Sequence, residues 1–221
     1  MPSRPIRLLS TLAVASAVQE LIPLYEQRTG AKVDADYTTT KLMMERLNAG
    51  ETADLVIVTD DAAKILAPDG AGRNDIAVSR IGIAIADGAK PPPMATKADF
   101  VAALTNTPSL SYSRAGVSGL YFAALIEKLG IAEMVNAKAV IIPNGYTSEQ
   151  LMSGKVELAI QQISELLTGG ATNIVPIPEE VQVATLFATV ILKNEAAGLA
   201  GFLASSEALD AYRRWGLDLA V

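Results

Sequence analysis

Six short stretches of this chain set hydroxyl or amide side chains at the ends of apolar runs. They are Ser10-Thr11, Thr38-Thr39-Thr40-Lys41, Thr59-Asp60, Ser113-Arg114 through Ser118-Gly119, Gly145-Tyr146-Thr147-Ser148 and Gln161-Gln162. Such side chains are neutral hydrogen-bond donors. Where a strand passes into a helix, they join the free N–H groups of the first helical turn, and together these groups hold a small anion without any protonation. Lys41 and Arg114 add positive charge, and Arg engages carboxylates through two parallel hydrogen bonds. Ser and Thr are also ordinary helix caps, and Thr147 with Gln150 reads as a capping box. Lys41 and Arg114 can equally be solvated surface charges.

Other chemistry is narrowed by absence. The chain has no His and no Cys, which removes histidine and thiolate catalysis and the usual zinc ligands. Neither a metal nor a cofactor is expected. Proton transfer would fall to Lys41, Glu165, Asp60 or Tyr146, with Lys41 the candidate base; Tyr112 and Tyr121 read as packing residues. Gly70-Ala71-Gly72 lacks the third glycine of a dinucleotide fingerprint, and Ser153-Gly154-Lys155 lacks the rest of a phosphate loop, so both read as turns.

The elements that must position these groups alternate between strand and helix. Ile6–Leu9 and Leu55–Val58 are short apolar runs of the buried parallel kind. Val14, Ala17, Val18, Leu21, Ile22 and Tyr25 recur at helical spacing up to Thr29-Gly30. Lys32–Tyr37 alternates as a strand, and a helix through Leu42, Met43, Arg46 and Leu47 ends at Asn48-Ala49-Gly50. Further strands are expected at Ile81–Ala86, Ser109–Ser111, Ala139–Ile142, Leu158–Ile160 and Phe187–Leu192. Helices are expected at Gly119–Leu129, Ser148–Met152 and Ala197–Trp215, the last broken near Ala204-Ser205-Ser206. This is the order of an α/β fold with crossover helices, in which ligands sit beyond the carboxyl ends of the strands. Pro91-Pro92-Pro93 reads as a linker or surface loop between halves.

With 221 residues, half of them hydrophobic and 19% charged, the chain has the composition of a folded protein. No run of 18 apolar residues suggests a membrane span. A net charge of −6 argues against nucleic acid as a partner. The first residues carry a double meaning. Arg4 and Arg7 lead into an apolar run from Leu8 to Val14 that ends Ala15-Ser16-Ala17, the outline of a secretory signal. The same letters read as a strand, a polar turn at Ser10-Thr11 and the start of a helix.

The order of these pieces resembles the molybdate-binding family of type II periplasmic binding proteins. The resemblance is carried by Ala53-Asp54-Leu55-Val56-Ile57-Val58-Thr59-Asp60, by SRAGVSGLYFAALIEKLGI, by VELAIQQISEL and by AYRRWGL near the end. It implies an α/β fold of two lobes, each a mixed, mostly parallel sheet flanked by helices, with a ligand cleft between them. Lobe one would hold residues 1–83 and 184–221, and lobe two residues 84–183. It also implies an oxyanion held by hydroxyls of two first-lobe turns, by backbone N–H groups at second-lobe helix starts and by a tyrosine. On this chain the first hydroxyl position falls on Ala13, with Ser10 and Thr11 just upstream. The second falls on Thr40, flanked by Thr39 and Lys41. The backbone donors fall on Ser118, beside Gly119, and on Thr147, while Gln162 stands in place of the tyrosine. Losing a hydroxyl and the tyrosine while gaining Lys41, Arg114 and Gln162 favours a larger, carboxylate-bearing anion over molybdate.

Two functions follow from the resemblance. One is a solute-binding protein for a small anion, served by an ABC transporter permease if exported. The other is an aconitate-isomerase-like enzyme that moves a double bond in a tricarboxylate. Cleavage after Ala17 would remove the first strand and first ligand turn, so RLLSTLAVASA reads as structure. That reading places the chain in the cytoplasm as it stands, or in the periplasm if an upstream signal has been trimmed.

Overall fold

A computed structural model describes residues 4–220. The chain divides into two compact units, one holding the chain up to Ser79 and from Thr185 onward, the other Arg80–Ala184.

The first unit opens with β1 (Ile6–Thr11), α1 (Ala15–Thr29), β2 (Val33–Thr38), α2 (Thr40–Asn48), β3 (Leu55–Thr59), α3 (Asp60–Leu66) and the first half of β4 (Arg73–Ile85). Strand β1 pairs in parallel with β2 on one side and β3 on the other. Successive residues of a strand point to opposite faces, and here both faces are apolar. Leu8, Leu55 and Ile57 enter a core with α1 residues Val18 and Leu21, while Leu9, Val56 and Val58 enter a second core with Met43 of α2. That two-sided burial is why these strands read as continuous apolar runs. Helix α1 stops at Gly30, whose left-handed φ of 73° lets its N–H reach the Glu26 carbonyl at 2.8 Å.

A buried carboxylate ties the amino ends of β1 and β3 to the far end of the unit. Asp54, 1% exposed, accepts two bonds from the Arg4 guanidinium at 2.7 and 2.9 Å and one from the Arg7 N–H at 2.8 Å. Lys193 Nζ lies 3.1 Å from its other oxygen. These donors hold its carboxyl well below the usual range, the Arg4 hydrogen bonds contributing most.

The second unit holds the rest of β4, then α4 (Lys97–Asn106), β5 (Leu110–Ser113), α5 (Val117–Lys128), α6 (Ala132–Asn136), β6 (Ala139–Ile142), α7 (Ser148–Met152), β7 (Leu158–Gln162), α8 (Ile163–Thr168) and β8 (Ile174–Pro176). Strand β5 runs parallel to β6 and β7, while β4 is antiparallel to β7 and β8. Ile81, Ile83, Leu158 and Ile160 face a core with Phe100, Tyr112 and Phe122; Ala84 and Ala159 face the other side, against Leu151 and Leu166. Gly119 has no room for a side chain, because a Cβ built there would lie 1.6 Å from the Ser113 carbonyl oxygen. Its absence lets α5 press against the end of β5.

The chain then returns to the first unit through β9 (Ala184–Ile191), α9 (Ala197–Leu203), α10 (Leu209–Arg214) and β10 (Asp218–Leu219). Strand β9 is antiparallel to β3. The expected break in the last helix falls at Ala204–Ser205, where Ser205 Oγ donates to the Phe202 carbonyl.

Several expectations need correction. Ser10 and Thr11 are the last residues of β1, not a turn, because their backbones pair with Tyr37 and Thr38 of β2. Gln161 and Gln162 likewise complete β7. Strand β4 begins eight residues before the expected Ile81, its polar start Arg73-Asn74-Asp75 giving no hydrophobic signal. Helices α3, α4, α6 and α8 and strands β8 and β10 had no assignment from sequence. Pro91-Pro92-Pro93 lies inside the second unit, in the loop between β4 and α4, rather than where the chain passes between units.

Candidate functional site

In the first unit, the parallel register of β1 and β2 brings Ser10, Thr11, Thr39, Thr40 and Lys41 to neighbouring strand ends. Ser10 is buried and its hydroxyl donates to the Thr11 carbonyl at 3.2 Å. Thr39 is the cap of α2, its oxygen accepting the Leu42 N–H at 3.3 Å. Thr40 Oγ1 is buried and makes no hydrogen bond among the described residues. Lys41 is exposed on the first turn of α2, with no ion pair among the described residues. Ala13 belongs to the core, 4% exposed against α1 neighbours. Asp60 is an ion-pair residue: Lys64 at 2.6 Å and Arg73 at 2.7 Å hold its carboxyl below the ordinary value.

In the second unit the polar groups form a connected network. Gln161 is its centre, with Oε1 accepting from the Thr147 N–H at 2.8 Å and from Thr147 Oγ1 at 3.0 Å. Gln161 Nε2 donates to the Gly145 carbonyl at 3.0 Å, and Ser111 Oγ donates to the Thr147 carbonyl at 2.9 Å. The Gly145–Ser148 turn is thus pinned to β5 and β7. Thr147 makes no side-chain cap to α7, so the expected capping box is replaced by the bonds to Gln161 and the Ile160 carbonyl. Its N–H is also already committed to Gln161. Ser148, the next residue, is fully buried and its Oγ has no hydrogen-bond partner among the described residues.

Ser118 is buried in the first turn of α5, and the cap of that helix, Gly116, has no side chain to occupy the first N–H groups. Arg114 is exposed and folds back on its own strand, its Nη2 and Nε 3.0 and 3.3 Å from the Tyr112 hydroxyl. That hydroxyl donates to Asn136 Oδ1 at 2.6 Å. Arg114 is therefore held on the α6 side, apart from the Thr147–Gln161 network.

Sequence reasoning treated Glu165 as one candidate among several, and it placed Ser148 and Gln161 in ligand-facing stretches without singling either out as a contact. The Glu165 carboxyl is 6% exposed in the first turn of α8 and accepts from the Gln162 N–H and the Gln161 side chain. Burial pushes it up to about 7, against those two hydrogen bonds. Tyr146 is raised to about 12, by burial first and by the neighbouring Glu165 and Glu149 charges next. Its phenol therefore stays protonated at neutral pH and is a donor. The legible signal was the pair Gln161-Gln162, adjacent amides where a buried strand ends. A groove of about 550 Å³ beside Pro92, Pro93, Ala102 and Leu158 lies at the opposite, amino ends of β5 and β7.

Polar strand ends leading into helices on two α/β units define a protein of the solute-binding class. The chain belongs to the family described as bacterial extracellular solute-binding protein, whose sequence profile matches residues 6–218. It is 28% identical over 232 residues to an aconitate isomerase of Pseudomonas sp., spanning 98% of this chain and 88% of that one. The periplasmic molybdate-binding protein of Azotobacter vinelandii shares its fold with a TM-score of 0.78 at 14% identity, covering 98% of this chain and all of that one. PEB3 of Campylobacter jejuni, solved with L-phospholactate bound, has a TM-score of 0.72 at 14% identity, covering 97% and 100%. No helix among the described residues is long and apolar enough to cross a membrane.

Proposed function

We propose that this chain binds a small, carboxylate-bearing anion through the polar strand ends of its units. The observation that carries this reading is a buried hydroxyl at a polar strand end of each unit, Thr40 Oγ1 in the first and Ser148 Oγ in the second, that makes no hydrogen bond among the described residues. A buried donor without a partner costs about 1–3 kcal/mol, a cost that an anion accepting such a bond would offset. The departures from the molybdate pattern favour a carboxylate over a tetrahedral oxyanion. Ala13 is in the core, the Thr147 N–H is taken by Gln161, and Gln162 replaces a phenol. PEB3 offers a precedent for a carboxylate-bearing ligand on this fold. If the protein is exported, delivery to an ABC-type transporter is the role this reading implies.

A second reading, isomerisation of an unsaturated tricarboxylate, is favoured by the aconitate isomerase relative and by the buried carboxyl at Glu165. Both readings require the same binding event. Titration calorimetry with citrate, trans-aconitate, molybdate and sulfate tests it. Thr40→Val and Ser148→Ala are each expected to weaken binding of the responding anion about 10–100-fold, the loss of one hydrogen bond to a charged group. Because neither hydroxyl is bonded within the protein, melting of the unliganded variants should move by less than about 2 °C. Unchanged affinity in both variants would contradict the assignment of these turns.

A further inference from the structure

Two carboxyl side chains are buried among the described residues, and their surroundings differ sharply. Asp54 has Arg4 and Lys193 as counter-charges. Glu165, almost as buried, has no ion pair among the described residues. It has instead a shell of neutral groups: the Gln162 N–H, the Gln161 amide and, close enough to feel its charge, Tyr146. Glu149 of α7 is the other charged group acting on that phenol. The Tyr146–Ser148 turn packs directly on α8. A Cβ added at Gly169 would meet Ser148 Oγ at 2.1 Å and Tyr146 Cβ at 2.8 Å, and the Gly169 N–H bonds the Glu165 carbonyl at 3.0 Å. A purely structural role at this position would be served by a neutral amide, without the cost of burying an ionisable group. A carboxyl that can take up and release a proton among neutral donors is what a general acid–base needs.

We propose that Glu165 is the catalytic acid–base of an allylic proton shift in an unsaturated tricarboxylate. The assignment rests on the isomerase reading above. The Glu165 carboxylate takes a proton from the substrate methylene next to the double bond. The C–H electron pair delocalises through the alkene into the conjugated carboxylate. The Glu165 acid then returns its proton to the former vinylic carbon. One C–H bond breaks, one forms, the double bond moves by one position, and Glu165 ends as it began. No oxidant or cofactor enters the balance. The Tyr146 phenol is a donor for the charge that develops.

The test follows trans-aconitate with the full chain in D2O by proton NMR. The unaltered protein should produce cis-aconitate, with deuterium entering the methylene to the extent that the Glu165 acid exchanges with solvent before returning its proton, and its kcat/KM should rise with pH through a limb near 7. Glu165→Gln should lower kcat by about 100-fold or more, while trans-aconitate still raises its melting temperature. Absence of both conversion and exchange in the unaltered protein would remove the isomerase reading and this assignment with it. Conversion in the unaltered protein that persists within about threefold in Glu165→Gln would leave the reading standing and overturn Glu165. Should Glu165→Gln fail to fold, the pH profile of the unaltered protein decides, and a flat profile between about pH 6 and 8 overturns the assignment.

Discussion

Asp54→Ala is expected to destabilise the protein by about 2 kcal/mol, within the 1–3 kcal/mol range for leaving a buried polar group without its hydrogen-bond partner. The loss does not come from Arg4 and Lys193, which are about half exposed and recover hydration. It comes from the Arg7 N–H, which loses its 2.8 Å acceptor, and from the junction that fixes the starts of β1 and β3. Asp54 itself keeps two backbone bonds through its carbonyl, to the Leu192 and Lys193 N–H groups. Those bonds survive the substitution, which is why the loss should not reach the upper end of the range. The pH dependence has a definite sign. The folded carboxyl titrates below its unfolded value. Its stabilisation is therefore fully present above about pH 4 and is lost as pH falls through the folded value. Urea unfolding at pH 7 and pH 3 should show a large gap between the unaltered protein and Asp54→Asn at pH 7 and a smaller one at pH 3. Equal gaps at both would contradict the buried-carboxylate account.

Gly119→Ala should cost about 3 kcal/mol, the upper range of overpacking penalties. A methyl group 1.6 Å from the Ser113 carbonyl oxygen and 2.5 Å from its carbon meets backbone on a central strand, and neither can rotate away. Helix α5 must move off β5 instead, carrying the Ser118 N–H with it, so anion affinity should fall together with stability. Gly116→Ala is the matched control. It sits at φ −88° with nothing within 4 Å of a built Cβ, so it meets no clash and loses only the capping preference of glycine over alanine, about 1 kcal/mol or less. Thermal melting and calorimetry of the two variants read both effects. A Gly119→Ala protein as stable as Gly116→Ala would mean that α5 does not depend on this close approach.

What could be read from the letters alone follows from how local each cause is. Strands β3 and β6 and helix α7 were legible almost to the residue because short-range patterns govern them. The start of β4 was not, since Arg73, Asn74 and Asp75 join a sheet through backbone pairing that no side-chain pattern announces. Helix α4 carried a readable Thr96–Asp99 cap, with Phe100, Ala103 and Leu104 at helical spacing, and could have been found. Helix α3 buries only Ala62 and Ala63, too little apolar area for its period to register. In the site, sequence located the hydroxyl-rich strand ends but not their bonding. That Gln161 would capture the Thr147 N–H, that Arg114 would fold onto Tyr112, and that Thr40 would keep an unused hydroxyl are consequences of packing between distant segments. The same holds for Glu165, whose burial without an ion pair among the described residues is a property of space rather than of sequence.

The central claim, binding of a small carboxylate-bearing anion, is tested most directly by melting the unaltered protein against a panel of anions. A ligand at a hundred times its Kd stabilises by about 2.7 kcal/mol, which for a chain of this size is a rise of about 5–10 °C. Citrate or trans-aconitate should produce such a rise, with molybdate and sulfate leaving the melting temperature where it was. A rise with molybdate or sulfate alone would contradict the carboxylate assignment, and no rise with any member of the panel would contradict the proposed binding of small anions itself.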